Sequence, residues 1–379
     1  MLRLPPLSLY VHLPWCARKC PYCDFNSHQS ATEPPFEAYV DALLDDLSLD
    51  LPWAQGRDCQ TIFIGGGTPS LFPGAAIRRL LAGVRERLPL ATDAEITLEA
   101  NPGSAEAARF ADYREAGVNR LSIGVQSFDD RSLAALGRIH DAAAALHAVS
   151  AARAAGFSNI NLDLMHGLPG QDETAAARDL ATAIAQEVPH LSWYQLTIEP
   201  NTVFHSRPPV LPVEDALAGI QFQGETLLAQ AGYVQYEVSA LARPGHRCRH
   251  NLNYWGFGDY LGIGAGAHGK ISLPAENRIL RSRRSRVPRD YLGATPEARL
   301  DASPVDTEEL PLEFLMNALR LCGGVPAEDF EARTGVALAS MDEALAALRA
   351  RGLLVEDPTR LCTTRTGFRF LDSVLSALA

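Results

Sequence analysis

From residue 8 to about 200, short runs rich in leucine, β-branched and aromatic residues alternate with longer segments of helical periodicity. SLYVHLP, TIFIGGG, EITLEANP, RLSIGVQSF, NINLDLMHG and LSWYQLTIEP read as strands, each with turn residues close behind. Between them lie segments such as AAIRRLLAGVRERL, in which Ile77, Leu80, Leu81, Val84 and Leu88 fall on one face of a helix. A strand joined to the next by a helix pairs with it in parallel through a right-handed crossover. The rhythm therefore predicts an α/β fold, a partial (β/α)6 barrel. Functional residues in such barrels gather where strands end. Cys16, GGGTP, Glu99, Gln126, Asp163 and Gln195 all stand at or just beyond those ends.

Past a helix around 214 to 231 the pattern changes. The segment YVQYEVSALARPGHRCRHNLNYWGFGDYLGIGAGAHGK mixes strand character with Gly, His and aromatics, a composition suited to a lid or a ligand-contacting wall. NRILRSRRSRVPRDYL follows, with Arg278, Arg281, Arg283, Arg284, Arg286 and Arg289. It reads either as a solvated loop or as a site for an acidic ligand. Beyond LDASPVDTEELP the periodicity becomes helical and ends in a short hairpin-like stretch. We divide the chain into a barrel over 1–240, an extension over 241–305 and a small, mainly helical, winged-helix-like domain over 306–379.

Composition narrows the function classes. The chain has 379 residues and a formal charge of −11, which disfavours a phosphate backbone as partner and argues against nucleic acid. No 18-residue apolar run and no cleavage-site pattern occur, so a cytoplasmic location is expected. Seven cysteines, four of them scattered singly, fit reduced thiols better than a disulfide framework.

The other three, Cys16, Cys20 and Cys23, lie together in CARKCPYC. Structural zinc wants four protein ligands, and no second CxxC pair is present, although His12 and His28 are close in sequence. A 4Fe-4S cubane held by three thiolates keeps one iron free for a small molecule that binds through nitrogen and oxygen. GGGTP follows its strand without the Lys-Ser or Lys-Thr of a P-loop, and its glycines permit close backbone approach.

Taken together, YVHLPWCARKCPYCDF, GGGTP, LEANP, GVQSF and DLMHGLPGQ resemble the radical S-adenosylmethionine (SAM) proteins, in the group of oxygen-independent coproporphyrinogen III oxidase and its relatives. The resemblance covers most of the chain. It implies a 4Fe-4S cluster on Cys16, Cys20 and Cys23, and SAM chelated to the unique iron and cleaved by one electron to a 5′-deoxyadenosyl radical. By similarity, the SAM contacts would be Tyr10, Tyr22, Gly66, Gly67, Thr68, Glu99, Gln126, Arg138 and Asp163. Taken singly, Glu99, Gln126 and Asp163 would be ordinary helix-capping residues.

Two features separate the branches of this group. The coproporphyrinogen oxidases carry a further cysteine two positions after the third and an N-terminal extension; here Phe25 stands at that position and only a few residues precede Tyr10. RHNLNYW, with His250, Asn251, Asn253, Tyr254 and Trp255, resembles the HNxxYW pattern of the haem-chaperone branch. That resemblance implies a carrier that binds haem as cargo and delivers it to haem-requiring apoproteins, some membrane-associated, with coproporphyrinogen III dehydrogenase activity as the disfavoured alternative. A homodimer is left open. His250 offers an imidazole to haem iron, with Cys248 and His268 as rivals; Tyr254 and Trp255 offer flat faces to a porphyrin, and the arginines pair with propionates.

Overall fold

The computed structural model describes residues 1–30 and 32–378. Six parallel strands form the barrel: β1 (Leu7–Leu13), β2 (Cys59–Gly66), β3 (Leu90–Ala100), β4 (Arg120–Gln126), β5 (Asn159–His166) and β6 (His190–Gln195). Each pairs with the next in sequence order, as crossover helices require. The helix over Gly74–Arg87 buries Ile77, Leu80, Leu81 and Val84, the stripe its spacing predicts. The main core fills the layer between barrel and helices.

The barrel does not close on itself. β6 is followed on its outer edge by the short antiparallel strands Ala240–Ala242 (β8) and Val234–Gln235 (β7). On the other edge β1 takes a parallel neighbour from far along the chain, β9 (Asp259–Ile263), and the sheet continues antiparallel through β10 (His268–Leu273), β11 (Arg278–Arg284) and β12 (Leu300–Pro304). The result is one twelve-stranded sheet whose open side is lined by the extension.

The arginine-rich stretch is a strand over Arg278–Arg284 rather than a solvated loop, with Arg286 in the turn that follows and Arg289 in the helix Pro288–Gly293. Arg284 is buried and reaches across 238 positions to bond the Asp46 backbone carbonyl, while its guanidinium lies 2.6 Å from Asp50. Arg281 pairs with Glu313 and Arg283 with Asp301. Alternation along β11 sends some cations into the core, to be neutralised, and others outward.

HNLNYW also differs from a plain wall segment, because it forms a short helix, α1 (Arg249–Trp255), lying against β1, β2 and β9. Glu95 accepts the backbone N–H groups of Arg249 and His250 at 3.2 and 3.1 Å, a carboxylate at the positive end of that helix. The C-terminal part is helical, with a two-stranded ladder between Val325–Pro326 and Arg360–Leu361. Its core centres on Phe314 and Phe330 and recruits Leu2, Phe257 and Ile279 from earlier in the chain.

Candidate functional site

The cysteine loop continues from β1 and lies against the end of β2. Trp15–Cys16 and His28–Gln29 pair as two-residue strands, which pins both ends of the loop. GGGTP runs beside it: Gly67 N–H donates to the Leu13 carbonyl at 2.8 Å and Thr68 N–H to that of Trp15 at 2.8 Å. A Cβ on Gly67 would lie 2.6 Å from the Trp15 oxygen, and Gly66 has φ +124° with its Cβ position 2.8 Å from the Leu13 oxygen. Only glycine lets the two backbones approach this closely.

Each thiol has a polar neighbour. The Thr68 hydroxyl donates to Cys16 Sγ at 3.5 Å, Arg138 donates to Cys20 Sγ at 3.6 Å, and Ser27 Oγ lies 3.7 Å from Cys23 Sγ. Burial pushes the Cys16 thiol up, the Thr68 hydroxyl pulls it down, and the nearby Cys23 and Cys20 push it up again. Among the described residues no three Cys, His, Asp or Glu side chains converge on a single ion. The N–H and O–H groups aimed at sulfur would stabilise thiolate charge, which ligation of a metal centre requires. His12 is not a spare ligand, since its Nδ1 bonds Tyr10 Oη at 2.9 Å and its Nε2 the Asn26 carbonyl at 2.9 Å.

Arg138 connects several of the predicted residues. Besides Cys20 it donates to Asn101 Oδ1 at 2.7 Å and to the Gly124 carbonyl at 2.8 Å, and Asn101 Nδ2 in turn donates to Thr68 Oγ1 at 3.1 Å. A continuous polar chain thus runs from Cys20 to Cys16. The sequence reading names LEANP without singling out Asn101 as a site residue; its place just beyond a strand end is the signal for it.

Glu99 accepts from Gly66 N–H at 3.1 Å, and burial together with nearby Asp163 pushes its carboxyl up to about 8. Burial likewise raises Asp163, against hydrogen bonds from Asn161 and Ser122 at 2.8 and 3.0 Å. Gln126 sits at φ 69° after an irregularity in β4, which turns its amide toward Tyr194, whose hydroxyl donates to Oε1 at 2.7 Å. Tyr10 and Tyr22 are held protonated by burial. Tyr22 lies over Phe204, and its phenol is close enough to Arg138 and Cys20 to feel both.

Beside these groups opens a cavity of about 1110 Å³, lined on the barrel side by Tyr10, Gly66 and Glu99 and on the extension side by His250, Tyr254 and Trp255. His250 Nδ1 bonds Thr61 Oγ1 at 2.8 Å, its ring lies 5.1 Å from that of Phe63, and Nε2 has no partner among the described residues. Burial, then Arg120, depress the imidazole to about 3, so it stays neutral at neutral pH. Cys248 is placed otherwise. Its thiol is buried against Glu95 at 3.6 Å, pushed up to about 12, and does not line the cavity. His268 stands exposed on the far wall beside Arg281 and Arg286.

Comparison with known proteins shows the family and the fold. Residues 10–181 match the model of the radical SAM superfamily, and residues 305–370 that of the HemN C-terminal domain. The chain is 55% identical to heme chaperone HemW of Escherichia coli strain K12 over 99% of this chain and 98% of that one. The chain belongs to the HemW family of radical SAM proteins. The corresponding Haemophilus influenzae heme chaperone HemW is 48% identical over 99% and 98% of the two chains. Among solved structures, coproporphyrinogen III oxidase (HemN) of Escherichia coli matches with a TM-score of 0.83 at 24% identity over 99% of this chain and 90% of that one, a likeness of fold. The α/β architecture expected from the strand–helix rhythm, and the radical SAM scaffold that the resemblance implies, are thus shown. No described helix is long and apolar enough to cross a membrane.

Proposed function

We propose that this chain is a haem carrier that binds haem in the cavity and hands it to haem-requiring apoproteins, with a 4Fe-4S cluster on Cys16, Cys20 and Cys23 and SAM at the adjoining strand ends. The observation that carries this reading is the cavity itself. It is lined by His250, Tyr254 and Trp255 on one side and by Gly66 and Glu99 on the other.

Each side chain has a task in this reading. His250 offers Nε2 to iron while Thr61 fixes its ring through Nδ1, as a ligating histidine requires. The neutral imidazole is ready to ligate without losing a proton. Arg138 and Thr68 stabilise thiolate charge on Cys20 and Cys16, and Gly66 and Gly67 let the methionyl end approach the backbone. Glu99, Asp163 and Gln126 provide acceptors for hydroxyl or ammonium groups of SAM. When bound, the cluster and SAM supply one-electron chemistry. The relatives' name, heme chaperone, supports cargo transfer over turnover, and Phe25 in place of a further cysteine weakens the oxidase alternative.

An anaerobic titration of cluster-reconstituted protein with haemin, followed at the Soret band, tests the reading. A saturable one-to-one shift is expected that is lost or weakened at least tenfold in His250→Ala, about 1.4 kcal/mol. Absence of a saturable shift in the wild type would exclude it.

A further inference from the structure

The cavity wall contributed by β11 and the turn after it carries four arginines, and most of their charge is already matched. Arg284 is spent inside the sheet on Asp46 and Asp50. Arg283 pairs with Asp301 at 2.6 Å, but both side chains are more than half exposed, so water screens the pair. Arg286 lines the cavity and has no ion pair among the described residues. Arg281 is different. Its guanidinium donates to the buried Tyr260 Oη at 3.0 Å and to Glu313 Oε2 at 2.5 Å; the Arg281 and Glu313 side chains are each about one-third exposed, and Glu313 comes from the helix Leu310–Ala318 of the C-terminal part.

Arg281 and Glu313 both line the cavity. A carboxylate in a ligand cavity, paired to the arginine that would otherwise receive a ligand carboxylate, occupies the ligand's place electrostatically. We propose that Glu313 is an internal counter-anion of the cargo site, competing with a carboxylate of the bound ligand for Arg281 and thereby holding that ligand loosely enough to be passed on. The inference rests on the haem reading above and specifies which ligand group is recognised and what opposes it. The same pair ties the C-terminal helix to β11, so a ligand that draws Arg281 away from Glu313 loosens this tether.

The test measures affinity of the full, cluster-reconstituted chain for ferric protoporphyrin IX and for its dimethyl ester, which lacks both carboxylates. Glu313→Gln is expected to tighten binding of the diacid about three- to fivefold, the factor set by removing one partly screened ion pair. It should leave the ester within about twofold, as should Asp301→Asn for either ligand, since its pair is screened. Arg281→Gln should weaken the diacid and abolish the gain from Glu313→Gln, because the two substitutions act through one contact. Equal diacid affinity in Glu313→Gln and wild type, an equal gain with the ester, or a gain that survives in the Arg281→Gln background each overturns the proposal while the haem reading stands. A wild type that binds neither porphyrin overturns both.

Discussion

Glu99 gives a prediction whose sign and size come from its surroundings. Burial and the neighbouring Asp163 hold its folded-state carboxyl near 8, against an ordinary value of 4.5. Below about pH 4.5 the group is protonated in both folded and unfolded chains. Between there and pH 8 the unfolded chain releases the proton and the folded chain keeps it, so stability falls as pH rises through this window and is constant above it. At about 1.4 kcal/mol per pH unit the whole gap would amount to roughly 5 kcal/mol. Glu99 opens onto the cavity, whose water screens the ionised form, so on the order of 2 kcal/mol is the expected effect. Glu99→Gln keeps the shape and an acceptor for Gly66 N–H but cannot ionise. Urea unfolding of the apo protein at pH 5, 6.5 and 8 should show the variant and wild type nearly equal at pH 5 and the variant ahead by about 2 kcal/mol at pH 8. A difference that does not change with pH, or wild type gaining on the variant as pH rises, would refute the reasoning.

Further outcomes follow from other contacts. Gly67→Ala places a Cβ 2.6 Å from the Trp15 carbonyl, with no flexible side chain to yield, and should destabilise by about 1–3 kcal/mol and lower iron and sulfide content after reconstitution. Thr68→Val removes the hydroxyl that bridges Asn101 and Cys16, and should reduce cluster loading with little change in the urea midpoint of the apo protein. Arg138→Lys cannot reach Cys20, Asn101 and Gly124 together, and should weaken SAM binding by equilibrium dialysis at least tenfold, about 1.4 kcal/mol. The depressed His250 keeps its imidazole neutral down to about pH 3, so haem affinity should hold between pH 8 and 6, where an ordinary histidine of pKa near 6.5 would already be losing ligand capacity.

The legible and illegible parts of the chain divide by sequence distance. The barrel could be read because each strand pairs with the next one along the chain, and hydrophobic period reports such local units. CARKCPYC and GGGTP could be read because the thiols share one short loop and consecutive glycines mark a close approach. The opening of the barrel could not: β1 pairs with β9 across some 250 positions, and nothing local in DYLGI distinguishes it from the inside of a hairpin. Arg284 looks like its neighbours in RSRRSR, yet its partners Asp46 and Asp50 lie on the helix Phe36–Ala54, so a cation buried in the sheet reads as a solvated loop. In HNLNYW the residue types pointed to a ligand wall, but the segment is a helix whose first N–H groups are met by Glu95, about 155 positions away. The chain Arg138–Asn101–Thr68 similarly joins the loop after the helix Asp130–Ala135 to the ends of β3 and β2, which only the folded barrel brings together.

The central claim, carriage of haem on a radical SAM scaffold, meets its most direct test in an anaerobic transfer experiment. Cluster-reconstituted protein loaded with haem is mixed with an apo-haem protein, while a parallel sample without haem receives coproporphyrinogen III, SAM and a reductant. The account predicts that the Soret band moves to that of the acceptor holoprotein and that no decarboxylated porphyrin forms. Retention of haem on this chain with stoichiometric or greater conversion of coproporphyrinogen III would contradict it.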